Sequence, residues 1–274
     1  MPELPEVETT VQGLKVITNK IIINISIHTK KLRFKIPSGI KKKLINTKIS
    51  NIRRIAKYII IDLNNKYCLI IHLGMSGRLK ISNVNYKRYK HDHINVMLND
   101  QTSLVLNDPR KFGFVDIVES NKILEKKYIM NLGIDALSKQ LKPDLFYKKI
   151  YKSTVPIKQI LLNQKIVSGI GNIYASEILF DAKISPLTLG KNLKISHILR
   201  LIMSIRKILR KAIRFGGSSI RDYKSADGTL GNFQVNFKVY NKEGYKIGKD
   251  KVTKIVQYGR STFYCPKIQI NDNK

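Results

Sequence analysis

An α+β chain is expected, with a β-rich antiparallel first half, a helical second half and a short hairpin at the end. Three observations predict it. Between residue 21 and about residue 118 the apolar residues come in short bursts rich in β-branched side chains, divided by turn formers. Beyond about residue 121 the apolar spacing becomes helical. From about residue 233 strand-like alternation returns.

The bursts are "IIINISIH", "KYIIIDL", "YCLIIHL", "HINVML" and "SLVLND", separated by "LNN", "GMSG", "NVN" and "NDP". Several short strands at this spacing predict an antiparallel sandwich or barrel. In the second half, "HILRLIMSIRKILRKAIRFGG" sets Ile198, Leu201, Ile202, Ile205, Ile208 and Ala212 on one helical face. Arg200, Lys207, Arg210, Lys211 and Arg214 take the other side, and Gly216 with Gly217 stops the helix. Two shorter helices are expected within "VPIKQILLNQK" and "NIYASEILFDA". The stretch "LGIDALSKQLKPD" has little period and reads as linker, while "FQVNFKVYN" and "TKIVQYG" predict the terminal hairpin. The expected divisions are a first domain over 1–131, a linker over 132–150, a helical domain over 151–232 and a hairpin over 233–274. No internal repeat is present.

The chain has 274 residues, and 51 Lys and Arg against 19 Asp and Glu give a formal charge of +32. Such a balance predicts attraction to a polyanion, because each phosphate neutralised releases a condensed counterion. An abundance of Lys, Ile and Asn points to a biased genome that inflates lysine, but such bias does not explain so few acids. Cys68 and Cys265 are too few for a disulfide framework, and a reducing cytoplasm fits them. The acidic start, with no long apolar run behind it, is no signal peptide, and no apolar stretch reaches membrane-span length.

Against that charge, the opening "MPELPEVETT" places Glu3, Glu6 and Glu8 within eight residues. Pro at a helix start with acids in the first turn is ordinary helix N-terminus chemistry. The same residues also hold a catalytic possibility. Removal of the initiator methionine leaves Pro2 with a free secondary amine, whose pKa of roughly 8 leaves a useful unprotonated fraction. Such an amine attacks an acetal carbon and forms an iminium with a fixed positive charge, with Glu3 adjacent to move the proton.

"MPELPEVET" resembles the start of the formamidopyrimidine-DNA glycosylases, bacterial repair enzymes for oxidised purines. Further stretches agree with that family in order: "RRIAKYIIIDL" (53–63), "HLGMSGRL" (72–79), "KHDHINV" (90–96), "NDPRKFGF" (107–114), "SGIGNIYASEILF" (168–180) and "GRSTFYCP" (259–266). The resemblance covers nearly the whole chain. It implies an N-terminal β-sandwich with flanking helices, a helix–two-turn–helix domain and a β-hairpin finger. It further implies an N-glycosylase and abasic-site lyase acting by β,δ-elimination on double-stranded DNA, as a cytoplasmic monomer.

The residue roles follow from the same resemblance. Pro2 is the nucleophile and Glu3 the general acid, with Glu6 supporting the first turn. Lys57, which the sequence alone reads as an exposed lysine opening a strand, lies near the reacting sugar. Met75 and Phe112 enter the base stack and Arg110 faces the orphaned cytosine. His72 and His91 contact the DNA backbone, Asn172 holds a phosphate beside the lesion, and Arg260 grips flanking phosphates and serves the second elimination. His91 and His93, two apart on an expected strand, lack a third metal ligand. "RFGGSSIRDY" (214–223) corresponds to a loop that covers the everted base.

Two departures stand out. The family's basic position ahead of the linker-side helix is shifted, with Ser153 there and Lys152 beside it. The family's finger holds zinc with two Cys-x2-Cys pairs. Here "EGYKIGKDK" (243–251) has no cysteine, and the second pair keeps Cys265 with Ile268 in its partner's place. No histidine follows His197. A zincless finger and no cofactor are therefore expected. The missing metal, worth roughly 10 kcal/mol or more, has to be offset, and an apolar core of Tyr245, Ile247, Val252, Ile255, Phe263 and Ile268 is expected to do it. Rival readings are the sister glycosylase for oxidised pyrimidines, which typically begins "PEGPE" and lacks the three-residue wedge set, and a non-catalytic DNA-binding relative.

Overall fold

A computed structural model describes residues 2–83, 86–218 and 231–271. The chain divides into two compact units, Met1–Met130 with Phe215–Gln234, and Asn131–Arg214 with Val235–Lys274.

The first unit opens with helix α1 (Leu4–Leu14), whose Val7, Val11 and Leu14 recur every three to four residues and are buried. After a 3-10 turn come β1 (Ile21–Ile27), the short α2 (Ile40–Leu44), β2 (Thr47–Ile55), β3 (Tyr58–Leu63), β4 (Tyr67–His72), β5 (Arg78–Ser82), β6 (Asp92–Leu98), β7 (Ser103–Asn107) and β8 (Phe114–Glu119), then α3 (Lys127–Met130). Among the described residues these eight strands form one antiparallel sheet in the order β5-β7-β6-β1-β2-β3-β4-β8. The β1–β2 pairing is only two residues long, Ile21 with Lys48 and Ile22 with Thr47. The sheet folds over there, and both halves share one core, Ile22, Ile25, Ile94 and Leu106 from one and Ile52, Ile61, Ile71 and Val115 from the other. This is the sandwich alternative.

The runs "YIII" and "CLII" do not alternate because both faces of β3 and β4 are covered. Ile59, Ile61, Leu69 and Ile71 join the main core. Ile60, Cys68 and Ile70 pack on the outer side with Val118, Ile123 and Tyr128.

The second unit contains β9 (Ile134–Asp135), α4 (Pro143–Ile150), α5 (Ile157–Leu162), β10 (Val167–Ser168), α6 (Asn172–Asp181) and α7 (Ile195–Arg214). It ends with β11 (Lys246–Ile247), β12 (Asp250–Lys251), β13 (Thr253–Gln257) and β14 (Arg260–Tyr264). On α7 the buried face is Ile198, Leu201, Ile202, Ile205, Leu209 and Ala212, so Leu209 takes the place expected of Ile208.

Four expectations need correction. The 132–150 linker is structured: Ile134 and Asp135 pair in parallel with Val167 and Ser168, and α4 buries Phe146 and Ile150. These elements are too short for their period to show. "FQVNFKVYN" forms no strand, because the backbone N–H groups of Lys238, Val239 and Tyr240 donate to the buried carboxylate of Glu177 at 2.8–2.9 Å instead of to a ladder. The described residues of 215–234, which are 215–218 and 231–234, group with the first unit rather than with α7, and Ser218 is bonded to Glu6. In the finger, Val252, Phe263, Ile247 and Ile268 do pack together, with Val239, Cys265, Phe180 and Tyr240. Tyr245 is instead exposed, and Ile255 stands outside that cluster. Each near-fully buried Val or Phe contributes about 1.5–3 kcal/mol, so the cluster reaches the same order as a structural zinc.

Candidate active site

The first turn of α1 is locked. Glu3 caps the helix with an extended backbone, φ −103° and ψ −172°. Its N–H donates to Glu6 Oε2 at 2.9 Å, and its carboxylate accepts the Glu6 N–H in return, a reciprocal capping box. Glu6 Oε1 accepts the Ser218 N–H at 2.8 Å and the Ser218 hydroxyl at 3.0 Å. Gly217 is required beside it: its φ is +76°, and a Cβ there would meet Glu6 Oε1 at 3.0 Å. Pro2, Glu3 and Glu6 are all buried. Glu8 pairs with Arg54 at 2.8 Å. Of the three clustered acids, Glu8 braces the helix on the sheet and Glu6 ties two segments to the first turn. Of the "RFGGSSIRDY" loop (214–223), the part after Ser218 lies outside the described residues, which resume at Gly231.

Lys57 follows Ala56 in the two-residue turn between β2 and β3, where Ile55 faces Tyr58. Ala56 has φ +52°, a left-handed backbone that L side chains adopt at a cost. Lys57 is 7% exposed, not the solvated lysine that its place at a strand start suggests. Its charge reaches His72, which faces Tyr58 across the β3–β4 ladder. The His72 ring packs on Tyr58 at 5.0 Å and stacks on Phe114 at 5.6 Å. Burial, then Lys57 and Arg33, hold the imidazole pKa down from 6.5 to about 4. The Gly74 N–H donates to His72 Nδ1 at 3.1 Å, which fixes the neutral tautomer with hydrogen on Nε2. Toward a phosphate His72 therefore offers one neutral donor rather than a charge.

A stability prediction follows from this shift. Below pH 6.5 the unfolded chain gains a proton on His72 that the folded chain accepts only near pH 4. Stability from this residue is thus fully present above pH 6.5 and is lost as pH falls toward 4, by up to about 3 kcal/mol. His72→Phe should flatten the pH dependence of urea unfolding between those limits. An unchanged slope would show that His72 is not the group responsible.

Met75, Arg110 and Phe112 come together on two loops joined backbone to backbone. A Cβ on Gly74 would lie 2.4 Å from the Phe112 carbonyl carbon, so only glycine allows the approach. Asp108, fully buried, holds the loops in place. Its Oδ1 accepts the Ser76 hydroxyl at 2.6 Å and its Oδ2 the Gly113 N–H at 2.7 Å. The Ser76 Oγ accepts the Arg110 N–H at 3.2 Å. Met75 and Phe112 are left 40% and 44% exposed, and the Arg110 guanidinium lies 4.7 Å from the Phe112 ring centre. Large apolar side chains held out into solvent by buried polar bonds are suited to insertion between bases. His91 sits in the turn before β6, at φ +73°, and not on the strand as expected. His93 is on the strand, buried, with Nε2 bonded to the Asp108 carbonyl at 2.9 Å. No cluster of metal-ligating residues occurs among the described residues.

In the second unit Asn172 is the first residue of α6, and its Nδ2 donates to the Ser261 carbonyl at 3.0 Å. Its buried Oδ1 has no partner among the described residues. Fully buried Lys158 donates to the same carbonyl at 3.0 Å and to Thr262 Oγ1 at 2.6 Å. Arg260, exposed at the start of β14, faces Gln257 across a two-residue turn in which Tyr258 and Gly259 have φ +49° and +72°. Two helices thus fix the backbone directly beside Arg260. Sequence reasoning missed Asp108, Ser76 and Lys158. "NDP" marks a turn whose Asp is a natural capping acceptor, which was a usable signal. Lys158 gave none, since a lysine in a short amphipathic helix reads as solvated.

The fold and this arrangement define a DNA-repair glycosylase scaffold. Residues 1–115 match the formamidopyrimidine-DNA glycosylase N-terminal domain, and residues 132–224 match the H2TH domain of the same enzymes. The chain is 45% identical to the formamidopyrimidine-DNA glycosylase of Zymomonas mobilis, covering 98% of this chain and 100% of that one. It is 43% identical to that of Rickettsia canadensis, over 98% and 99%. A Lactococcus lactis FPG mutant solved with Fapy-dG containing DNA superposes with a TM-score of 0.91 at 36% identity, over 98% and 99% of the two chains. The Lactococcus enzyme solved with abasic-site DNA gives 0.90 at 36% identity, over 97% and 99%. The chain belongs to the formamidopyrimidine-DNA glycosylase family.

Proposed function

We propose that this DNA glycosylase excises oxidised purines and then cuts the strand at the abasic site, with the Pro2 amine as nucleophile. The observation that carries the reading is the locked first turn. Chain termini ordinarily fray, yet here Pro2 and Glu3 are buried and pinned through Glu6. That order has a use if the terminal amine must meet one carbon in one orientation.

Once Met1 is removed, the amine lone pair attacks C1′ and the bond from C1′ to the base breaks, Glu3 giving the departing base a proton and recovering the one that the amine sheds. Glu3 protonates the ring oxygen, opening the sugar and leaving an iminium between C1′ and the proline nitrogen. The iminium acidifies C2′, whose proton leaves as the 3′ phosphate is expelled. A second elimination releases the 5′ phosphate, for which Arg260 supplies charge. Lys57 supplies a buried cation beside the reacting sugar. The damaged base must first leave the stack, at a cost of a few kcal/mol. Met75 and Phe112 fill the space and Arg110 meets the orphaned base. His72, His91 and Asn172 serve the backbone, and the DNA held by the Lactococcus relatives supports this partner.

Borohydride trapping tests the reading. A duplex with 8-oxoguanine opposite cytosine should yield a covalent adduct with protein lacking Met1, and more of it than a duplex with an oxidised pyrimidine. Intact mass with Met1 retained, or no adduct with any oxidised-purine duplex, would remove Pro2 from the mechanism.

A further inference from the structure

The family's zinc requires four thiolate or imidazole ligands in tetrahedral array, and the finger described here does not fit it. Cys265 is fully buried among Val239, Val252 and Phe263, and Ile268, in the place of its partner ligand, packs against the same cluster. The place of the first ligand pair is taken by the β11–β12 hairpin, Lys246 facing Lys251 and Ile247 facing Asp250, turned at Gly248 with φ +59°.

A zinc ion in such a finger would tie one turn to the other. With ligands missing from both turns, another contact has to tie them here. The Asp250 carboxylate, 8% exposed, spans the gap: Oδ2 accepts the Lys267 N–H, from the turn that follows Cys265, at 2.7 Å, and Oδ1 accepts the Lys251 N–H at 2.7 Å. The Cys265 turn is closed by its own bonds, with the Ile268 and Gln269 N–H groups donating to the Cys265 carbonyl at 3.1 and 2.8 Å. Gln269 folds back so that its Oε1 accepts the Cys265 N–H at 2.8 Å, while its Nε2 donates to the Ile184 carbonyl at 2.9 Å. The ring of Tyr240 meets Phe263 edge-on at 5.3 Å, behind the cluster.

We infer that the finger is a metal-free module in which Asp250 is the positioning residue that joins the two turns, with Gln269 anchoring the second turn to the helical body. The carboxylate takes over the connecting role of a metal, and the apolar cluster takes over its contribution to folding. The link to strand cutting rests on the reading of Arg260 given above; the link to the fold of the finger does not.

Full-length protein expressed with added zinc and analysed by plasma mass spectrometry should carry well under one zinc per chain. Overnight dialysis against a strong chelator should leave the melting temperature and the cutting of a preformed abasic site unchanged. Asp250→Ala should lower the melting temperature by roughly 3–8 °C. It should also speed hydrogen exchange at the Lys267 amide at least tenfold. If that variant is insoluble, Asp250→Asn, which keeps one acceptor oxygen, should show a smaller acceleration at the same amide. One chelatable zinc per chain whose removal lowers the melting temperature would overturn the inference. So would unchanged exchange at Lys267 in the folded variants. Trapping through Pro2 is read separately, so a failed mechanism and a failed finger give different results.

Discussion

Glu3→Gln is expected to slow base excision by about 10²–10⁴-fold, the range that a positioned general acid supplies. The substitution keeps the side-chain volume and an acceptor oxygen for the Glu6 N–H, so the capping box is preserved while the transferable proton is lost. Cutting of a preformed abasic site should suffer much less, because its sugar already opens to an aldehyde without losing a base. Pro2→Gly should lower both steps, since it replaces the secondary amine and releases the constraint on the first turn. Single-turnover rates on an 8-oxoguanine duplex and on an abasic duplex separate the cases. Equal losses of both rates in Glu3→Gln would assign Glu3 a structural place in the helix cap and no proton transfer.

Affinity for duplex DNA should fall by about 10³–10⁵-fold between roughly 50 and 200 mM salt if six to ten phosphates are neutralised. The chain charge of +32 is the motive, and the exposed Arg110 and Arg260 are two of the cations expected to take part. Titration of a fluorescent abasic-analogue duplex at four salt concentrations gives the slope. Arg260→Ala should reduce that slope by about one, as one phosphate contact is removed. A flat response in the unaltered protein would mean that its excess lysines face solvent and reflect genome bias.

What the sequence conveyed depended on the range of the interaction. Helix α7 and strands β3 and β4 were legible because a twenty-residue helix with one apolar face, or an unbroken β-branched run, carries a period or a composition of its own. The segment around Lys238–Tyr240 was misread as strand for the opposite reason. Its alternation is real, but its N–H groups are taken by Glu177, some sixty residues earlier, and no local pattern encodes that bond. The site divides in the same way. Pro2 and Glu3 announce themselves by their chemistry at a chain start. Burial of Lys57 comes from what covers a two-residue turn, and the placing of Met75 beside Phe112 comes from Asp108 and Gly74, each on a separate loop. Finger residues Tyr245 and Ile255 were assigned to the core by alternation, which does not say which face of a hairpin is covered.

The closed finger also bears on survival under the conditions that create the lesions. Peroxide and related oxidants attack cysteine in its thiolate form, and a zinc held by thiolates is released when they oxidise. This chain has two cysteines in all, Cys68 and Cys265. Both are fully enclosed, and burial raises both thiols above their ordinary pKa. On the inference drawn above, a finger braced by a carboxylate and an amide would have no sulfur–metal bond to lose and would need no zinc. Under oxidative stress or metal starvation such a finger would keep its fold, and with it the place of Arg260.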